Sequence, residues 1–286
     1  METPMSVFKT LALFVHPKMD FSYPVFDELN ELAQKFDVSV VLCGPDESLM
    51  PVAPFPRMDV KDLPSKSLAV IMGGDGTFLH AATPLMGLDI PMIGIDFGTI
   101  GFLTDTSPKY AYITLQQVLE GQYNVEHRPY FLATVGETQF AFVNEVAVDR
   151  HPHERPLDFD IYVEGELVLQ NYRGNGMIFA SPTGSTGYSR SAAGAVMHPS
   201  LKAMIMTPVC AQSRAVRPHV LPDHFEIQMN LNAAGEQGGL LMFDGQAGPC
   251  SVLAGQTLCV GKSPYTFPLV TTKELSYFER YHQKLT

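Results

Sequence analysis

Residues 67–86 read SLAVIM-GGDGT-FLHAATPLM. The first six residues form an unbroken small or apolar run, the pattern of a buried strand. The last nine read as a helix. Between them, Gly73, Gly74 and Gly76 let a backbone come close to a polyphosphate. The helix that follows would turn its free N–H groups and positive dipole end toward the same anion. An acid inside such a loop is costly unless it has a task. Asp75 has three available: orienting an attacking hydroxyl, accepting its proton, or standing near a phosphate-bound Mg²⁺. The bland alternative is a tight strand-to-helix turn with a solvated Asp75.

Working outward, Leu11–His16, Val38–Cys43 and Ile90–Asp96 are further strand-like runs. Between the first two, Val25, Phe26, Leu29, Leu32, Ala33 and Phe36 repeat at helical spacing, so one face packs on a sheet. Strands separated by helix-sized segments imply a parallel sheet with helices on its faces. Pro45–Pro64 reads as a surface loop. Ser107-Pro108 reads as a capped helix start, with the helix ending at Gly121.

From about Val125 the pattern changes. Phe131–Val135, Phe140–Val148, Phe159–Val163, Met177–Ala180, Ala203–Met206, Phe225–Leu231, Leu240–Phe243 and Thr257–Val260 are rich in β-branched, aromatic or other apolar residues. Turn residues separate most of them, which predicts antiparallel sheets. Lys273–Leu285 turns helical again. The expected fold is α/β plus all-β. A Rossmann-like α/β domain takes residues 1–124 with the returning tail 266–286, and a β-sandwich-like domain takes residues 125–265.

The chain's 286 residues include 30 acidic and 19 basic ones, a formal net charge of −11. That balance disfavours a nucleic-acid groove or an anionic membrane surface. The start Met1-Glu2-Thr3-Pro4 lacks the pattern of a signal peptide. No apolar run approaches the roughly 20 residues of a membrane span. Cys43, Cys210, Cys250 and Cys259 form no CxxC pair and no zinc spacing, so they are expected to be reduced and mostly buried in a cytoplasmic protein.

Three other segments carry chemistry. Ala180–Ser191 (ASPTGSTGYSRS) follows a strand and crowds hydroxyls and glycines into one turn. It suits a nucleotide's polar edge and ribose, or equally a capped helix start. Asn144-Glu145 sits in the strand-like run FAFVNEVAV, where adjacent residues face opposite sides and one points inward. Phe243–Gln246 (FDGQ) reads alone as a hairpin turn. His151 and His153, in HPHERP, read as a solvated loop.

Together GGDGT at 73–77, IGF at 100–102, NE at 144–145, SPTGSTGYS at 181–189 and DGQ at 244–246 resemble the NAD kinase family in order and spacing. The resemblance covers roughly residues 70–285. GGDGT alone is shared with lipid kinases; the TGST-Tyr loop and the NE pair narrow it.

The resemblance implies phosphorylation of the adenosine ribose 2′-hydroxyl of NAD. Asp75 would be the catalytic acid/base, and Gly73, Gly74, Gly76 and Thr77 would grip the phosphate donor, ATP or polyphosphate, with Mg²⁺ or another divalent metal. Gly76 also lies beside NAD. Asn144 and Glu145 would hold the ribose hydroxyls, and Phe102 would lie against the adenine. Thr186, Gly187, Tyr188, Ser189, Arg190 and Ser191 would bind NAD, with Arg155, Arg173, Asn175 and Gln246 as further contacts. A homodimer or homotetramer is implied as well.

Three positions depart from the family: Asn175 for Asp, Asp96 for Asn and Gly187 for Ala. Asn175 keeps a carbonyl acceptor but loses the charge, which bears on the choice between NAD and NADH. Two other readings stay open: a non-catalytic NAD(H) sensor and a GGDGT-type lipid kinase. The absence of a basic amphipathic segment weighs against the second.

Overall fold

The computed structural model describes residues 6–44, 54–98, 101–232, 238–271 and 276–285. The chain divides into two compact units, one of Met1–Arg128 with Thr266–Thr286, the other of Pro129–Tyr265.

The first unit is α/β. Strand β1 (Thr10–Val15) is buried along its whole length. Helix α1 (Pro24–Phe36) starts on its proline and ends at Asp37, which takes a left-handed conformation at φ 52°. It buries Val25, Phe26, Leu29, Leu32 and Phe36. Strand β2 (Ser39–Cys43) returns parallel to β1, and β3 (Ser67–Met72) pairs parallel on the other side of β1. Helix α2 (Asp75–Ala82) follows, then β4 (Met92–Ile95) parallel to β3, then α3 (Ala111–Leu119). The order β2-β1-β3-β4 places β1 and β3 inside the sheet, as their unbroken apolar runs require. Leu13, Leu32, Leu68, Ile93 and Leu115 share the core.

Two details differ from the sequence reading. Pro45–Pro64 is more than a surface loop. Residues 45–53 lie outside the described residues, but Phe55 is buried in the core and Arg57 forms a parallel bridge with Leu42. The stretch between prolines is already extended and its free N–H groups can pair with an edge strand; Met58 donates to the Leu42 carbonyl at 3.0 Å. Ser107 precedes a short 3₁₀ turn (Pro108–Tyr110) and its side chain makes no capping bond.

In the second unit, the antiparallel strands form two sheets. Strand β5 (Asn124–Val135) crosses the boundary between the units and pairs from Phe131 onward with β6 (Thr138–Phe142). Next come β7 (Glu145–Arg150), β8 (Leu157–Val163), β9 (Glu166–Gly174) and β10 (Gly176–Ala180). The one-turn helix α4 (Tyr188–Ser191) leads to β11 (Ala203–Val209), β12 (His219–Pro222), β13 (Ile227–Leu231), β14 (Gly239–Phe243) and β15 (Gln246–Val252). One sheet runs β12-β11-β10-β7-β14-β15, and β13 pairs with β8 in the other. Phe159, Ile161 and Met229 from one sheet share a core with Val146, Val148, Met177 and Phe179 from the other, the packing of a sandwich. A smaller cluster, with Ala147, Ile178 and Ile205, lines the opposite face of β7 and its neighbours.

The last strand, β16 (Thr257–Thr271), pairs with β13 while in the second unit. From Thr266 it belongs to the first unit, where Leu269 stands beside Met92 of β4. Helix α5 (Tyr277–Leu285) ends the described chain. The predicted helix over Lys273–Leu285 is thus observed from Tyr277, and residues 273–275 lie outside the described residues. No described helix is long and apolar enough to cross a membrane. Of the four cysteines only Cys43 is buried; Cys210 is exposed and the other two are intermediate, against the expectation of mostly buried thiols.

Candidate active site

In the first unit, Asp75 opens α2 directly after Gly74, its N-cap. Its carboxylate turns toward residues 102–104. Oδ1 accepts from the Leu103 N–H at 3.0 Å and the Thr104 N–H at 3.3 Å, and the Thr104 hydroxyl oxygen stands 3.2 Å from it. Oδ2 accepts from the Phe102 N–H at 3.0 Å and the Lys284 ammonium at 2.7 Å. Burial pushes the carboxyl's pKa up, but the Lys284 charge and these hydrogen bonds outweigh it and hold it below the ordinary value. Gly101 makes the approach possible, since a Cβ there would collide with the Asp75 carboxylate and Thr104.

The fully buried Thr104 hydroxyl donates its one proton along the shorter contact, to Asp96 at 2.8 Å, so the replacement at 96 is absorbed as an acceptor for this hydroxyl. The Phe102 ring lies under Lys284, 5.1 Å from the ammonium, and 5.9 Å from the Tyr277 ring. Ile100 of the IGF motif lies outside the described residues. Gly76 is exposed, and Gly74 and Thr77 are half-buried. A cavity of about 570 Å³ lined by Thr77, His80, Arg57 and the C-terminal ends of β1 and β2 opens at the carboxyl edge of the parallel sheet. That edge is where open α/β sheets take ligands.

In the second unit, Asn144 and Glu145 do not sit mid-strand. FAFVNEVAV breaks into β6 and β7, and Asn144 lies in the break. The cause is Asp244, at the β14–β15 turn. Its carboxylate accepts the N–H groups of Val143 at 3.1 Å, Asn144 at 2.7 Å and Glu145 at 3.3 Å. Donors that would have continued a ladder are spent on one side chain. Burial raises the Asp244 carboxyl to about 6 against those bonds. From the other side, Ser181 donates its hydroxyl to the Val143 carbonyl at 2.6 Å and its N–H to the Asn144 carbonyl at 2.8 Å.

Glu145 is buried, and its pKa is raised to about 8 by burial and then by the Asp244 charge, opposed by the Tyr188 N–H. Among the described residues Asn144 Oδ1 and Glu145 Oε2 are buried and have no hydrogen-bond partner. Gly187 borders this pair: a Cβ there would stand 3.1 Å from Glu145 Oε2. Tyr188 donates its hydroxyl to Asp149 at 3.0 Å, and Ser189 meets Thr207 at 2.8 Å.

Residues 11–123 match the family described as the ATP-NAD kinase N-terminal domain, and residues 143–272 the ATP-NAD kinase C-terminal domain. The chain belongs to the NAD kinase family. An NAD kinase of Azoarcus sp. (strain BH72) is 33% identical over 285 residues, covering 97% of this chain and 96% of the relative. The fold is similar to the crystal structure of yeast NADH kinase complexed with NADH, with TM-score 0.83 and 21% identity over 96% of this chain and 87% of that one. It is also similar to an NAD kinase from Archaeoglobus fulgidus in complex with ATP, with TM-score 0.73 and 24% identity over 93% and 94% of the two chains.

The remaining residues that the NAD kinase resemblance singled out are less gathered. Asn175 accepts from Arg150 at 3.0 Å, so its amide is already oriented. Thr186 bonds the Thr183 carbonyl at 3.3 Å. Arg190, Ser191 and Gln246 are exposed. Arg173 pairs with Asp158 at 3.5 Å, and Arg155 is exposed; neither bonds the Glu145 cluster among the described residues. Sequence reasoning noted Thr104 beside IGF without giving it a role, and missed Asp244 as a clasp and Lys284. Asp244 carried a signal as part of DGQ and Thr104 as the neighbour of IGF; Lys284 carried none.

Proposed function

We infer that this chain transfers the γ-phosphoryl group of ATP to the 2′-hydroxyl of the adenosine ribose of NAD, giving NADP and ADP. One observation carries the reading beyond family membership. Among the described residues, Asn144 Oδ1 and Glu145 Oε2 are buried acceptors on adjacent residues with no donor. Buried acceptors of this kind call for a ligand's donors, and the vicinal hydroxyls of a ribose supply them. A Glu145 protonated at neutral pH adds a donor of its own.

In the reaction the O2′–H bond breaks and its proton goes to Asp75. The O2′–P bond forms, and the P–O bond to ADP breaks with its electron pair leaving on ADP. Asp75, held ionised, contributes position more than basicity. The glycines of 73–76 and the N–H groups opening α2 suit the donor's phosphates, and the cavity beside Thr77 suits its nucleoside. Thr186–Ser191 and Asn175 would hold the rest of NAD. Among the described residues no three His, Cys, Asp or Glu side chains gather into a metal cage. Mg²⁺ carried by the donor's own phosphates would neutralise charge on the transferring group.

We read the protein as cytoplasmic, supported by four free thiols. Assembly into a dimer or tetramer is supported by β9, whose Leu167 and Val168 are exposed on a sheet edge. The test of function is formation of NADP from NAD, or of NADPH from NADH, with ATP and Mg²⁺, and with Asp75→Ala as control. NAD binding without NADP formation would overturn the kinase reading in favour of a sensor.

A further inference from the structure

Asp75 receives four hydrogen bonds, from the N–H groups of Phe102, Leu103 and Thr104 and from the Lys284 ammonium. An ionised carboxylate offers about four acceptor sites, so nothing is left for an incoming hydroxyl. Three of the four come from the backbone of residues 102–104, which cannot withdraw without unfolding the loop. The fourth comes from Lys284, 209 residues away in sequence. A substrate hydroxyl reaching Asp75 therefore takes the place of the Lys284 ammonium.

We propose that Lys284 is a catalytic residue of the phosphoryl transfer, passing its ammonium from the Asp75 carboxylate to the transferring phosphoryl group. The inference rests on the kinase reading above. The phosphorus attacked by a hydroxyl that touches Asp75 must lie within one bond and one contact of that carboxylate, within reach of a group now 2.7 Å from it. When Asp75 takes the O2′ proton it becomes neutral and loosens its hold on the ammonium. Negative charge on the phosphoryl oxygens then attracts it instead. Lys284 itself neither gains nor loses a proton.

A second observation shows that α5 is built into the site and is no loose cover. Arg280, four residues before Lys284 and so on the same helix face, forms an ion pair with Asp105 at 2.7 Å, both side chains nearly excluded from solvent. Tyr277, from the same helix, meets the Phe102 ring. Residues 102–105 are thus gripped at several points by α5, which fixes where Lys284 stands.

The arrangement also sets the acid limb of the reaction. The groups facing Asp75 are Lys284 from α5, the N–H groups and hydroxyl of 102–104, and Asp96 through the Thr104 hydroxyl. Removing the ammonium leaves burial less opposed, so the limb shifts to higher pH.

The experiment compares steady-state NADP formation by wild type, Lys284→Met, Lys284→Arg and Asp75→Ala from acid to alkaline pH, with NAD affinity and thermal melting of each. Lys284→Met is expected to lose about 100-fold in kcat with the KM for NAD near wild type. Its acid limb should move upward, and Lys284→Arg should recover most of the loss. Turnover equal to or above wild type in Lys284→Met would overturn the proposal, as would loss of activity that merely follows lost NAD binding or a lowered melting point. A wild type that makes no NADP overturns the kinase reading and this one with it; an active wild type with an unaffected Lys284→Met overturns this one alone.

Discussion

Asp244 and Asn144 are 100 residues apart in sequence, and the carboxylate of the first accepts the backbone N–H of the second at 2.7 Å. That bond, with its neighbours at Val143 and Glu145, ends β6 and starts β7 in a place where the sequence alone would run one strand through.

Asp244→Ala should therefore damage NAD binding without touching NAD. Each N–H left without its acceptor costs about 1–3 kcal/mol. We expect a clear drop in melting temperature and a KM for NAD raised about tenfold or more, with the KM for ATP unchanged. Substrate kinetics and a thermal melt check both, and unchanged values for both would remove the clasp from the account.

The raised carboxyls of the same cluster predict a pH-dependent stability. Glu145 rises from 4.5 to about 8 and Asp244 from 3.8 to about 6 in the folded chain. Between those limits the folded state binds more protons than the unfolded one, so stability falls as pH rises, by at most about 1.4 kcal/mol per pH unit for each group. Their contribution is complete below the unfolded values and is lost as pH climbs through the folded ones. Denaturant melts of the ligand-free protein should show the decline continuing to about pH 8, and Glu145→Gln should flatten the part above about pH 6.

Asp75→Asn keeps the size of the side chain but removes the proton acceptor. Turnover should fall by about 10²–10⁴ while calorimetric NAD affinity stays close to wild type, since Asn144 and Glu145 are intact. Near-normal turnover would sink the role assigned to Asp75.

Phe55 offers a stability test away from the chemistry. It is 7% exposed and packs into the first unit's core from a stretch of chain full of prolines. Phe55→Ala should cost about 3–5 kcal/mol, read as a lowered denaturant midpoint with unchanged slope. A loss below about half a kcal/mol would mean the residue is peripheral.

The parallel sheet was legible because its central strands are buried on both faces and carry unbroken runs such as SLAVIM. Strand β9 (ELVLQNYRG) was not, because most of its residues face solvent and only its pairing with β8 defines it. Strand β15 (QAGPCSV) hides behind a glycine and a proline. GGDGT and the NE pair were readable as motifs because their chemistry is local. What completes them comes from far along the chain: Asp244 for the pair, Lys284 and Arg280 for the loop. No window of sequence holds both members, and long polar side chains at helix ends or turns ordinarily mean only solvent.

Three of the donors that hold Asp75 are main-chain amides, at Phe102, Leu103 and Thr104. Substitution cannot delete an amide unless it installs proline, so a change of side chain at 102 or 103 leaves these bonds in place. Register is the inherited quantity here. A single-residue insertion or deletion between Gly101 and Thr104 would do what few point changes can: move every amide off the carboxylate at once while leaving the composition of the loop almost the same.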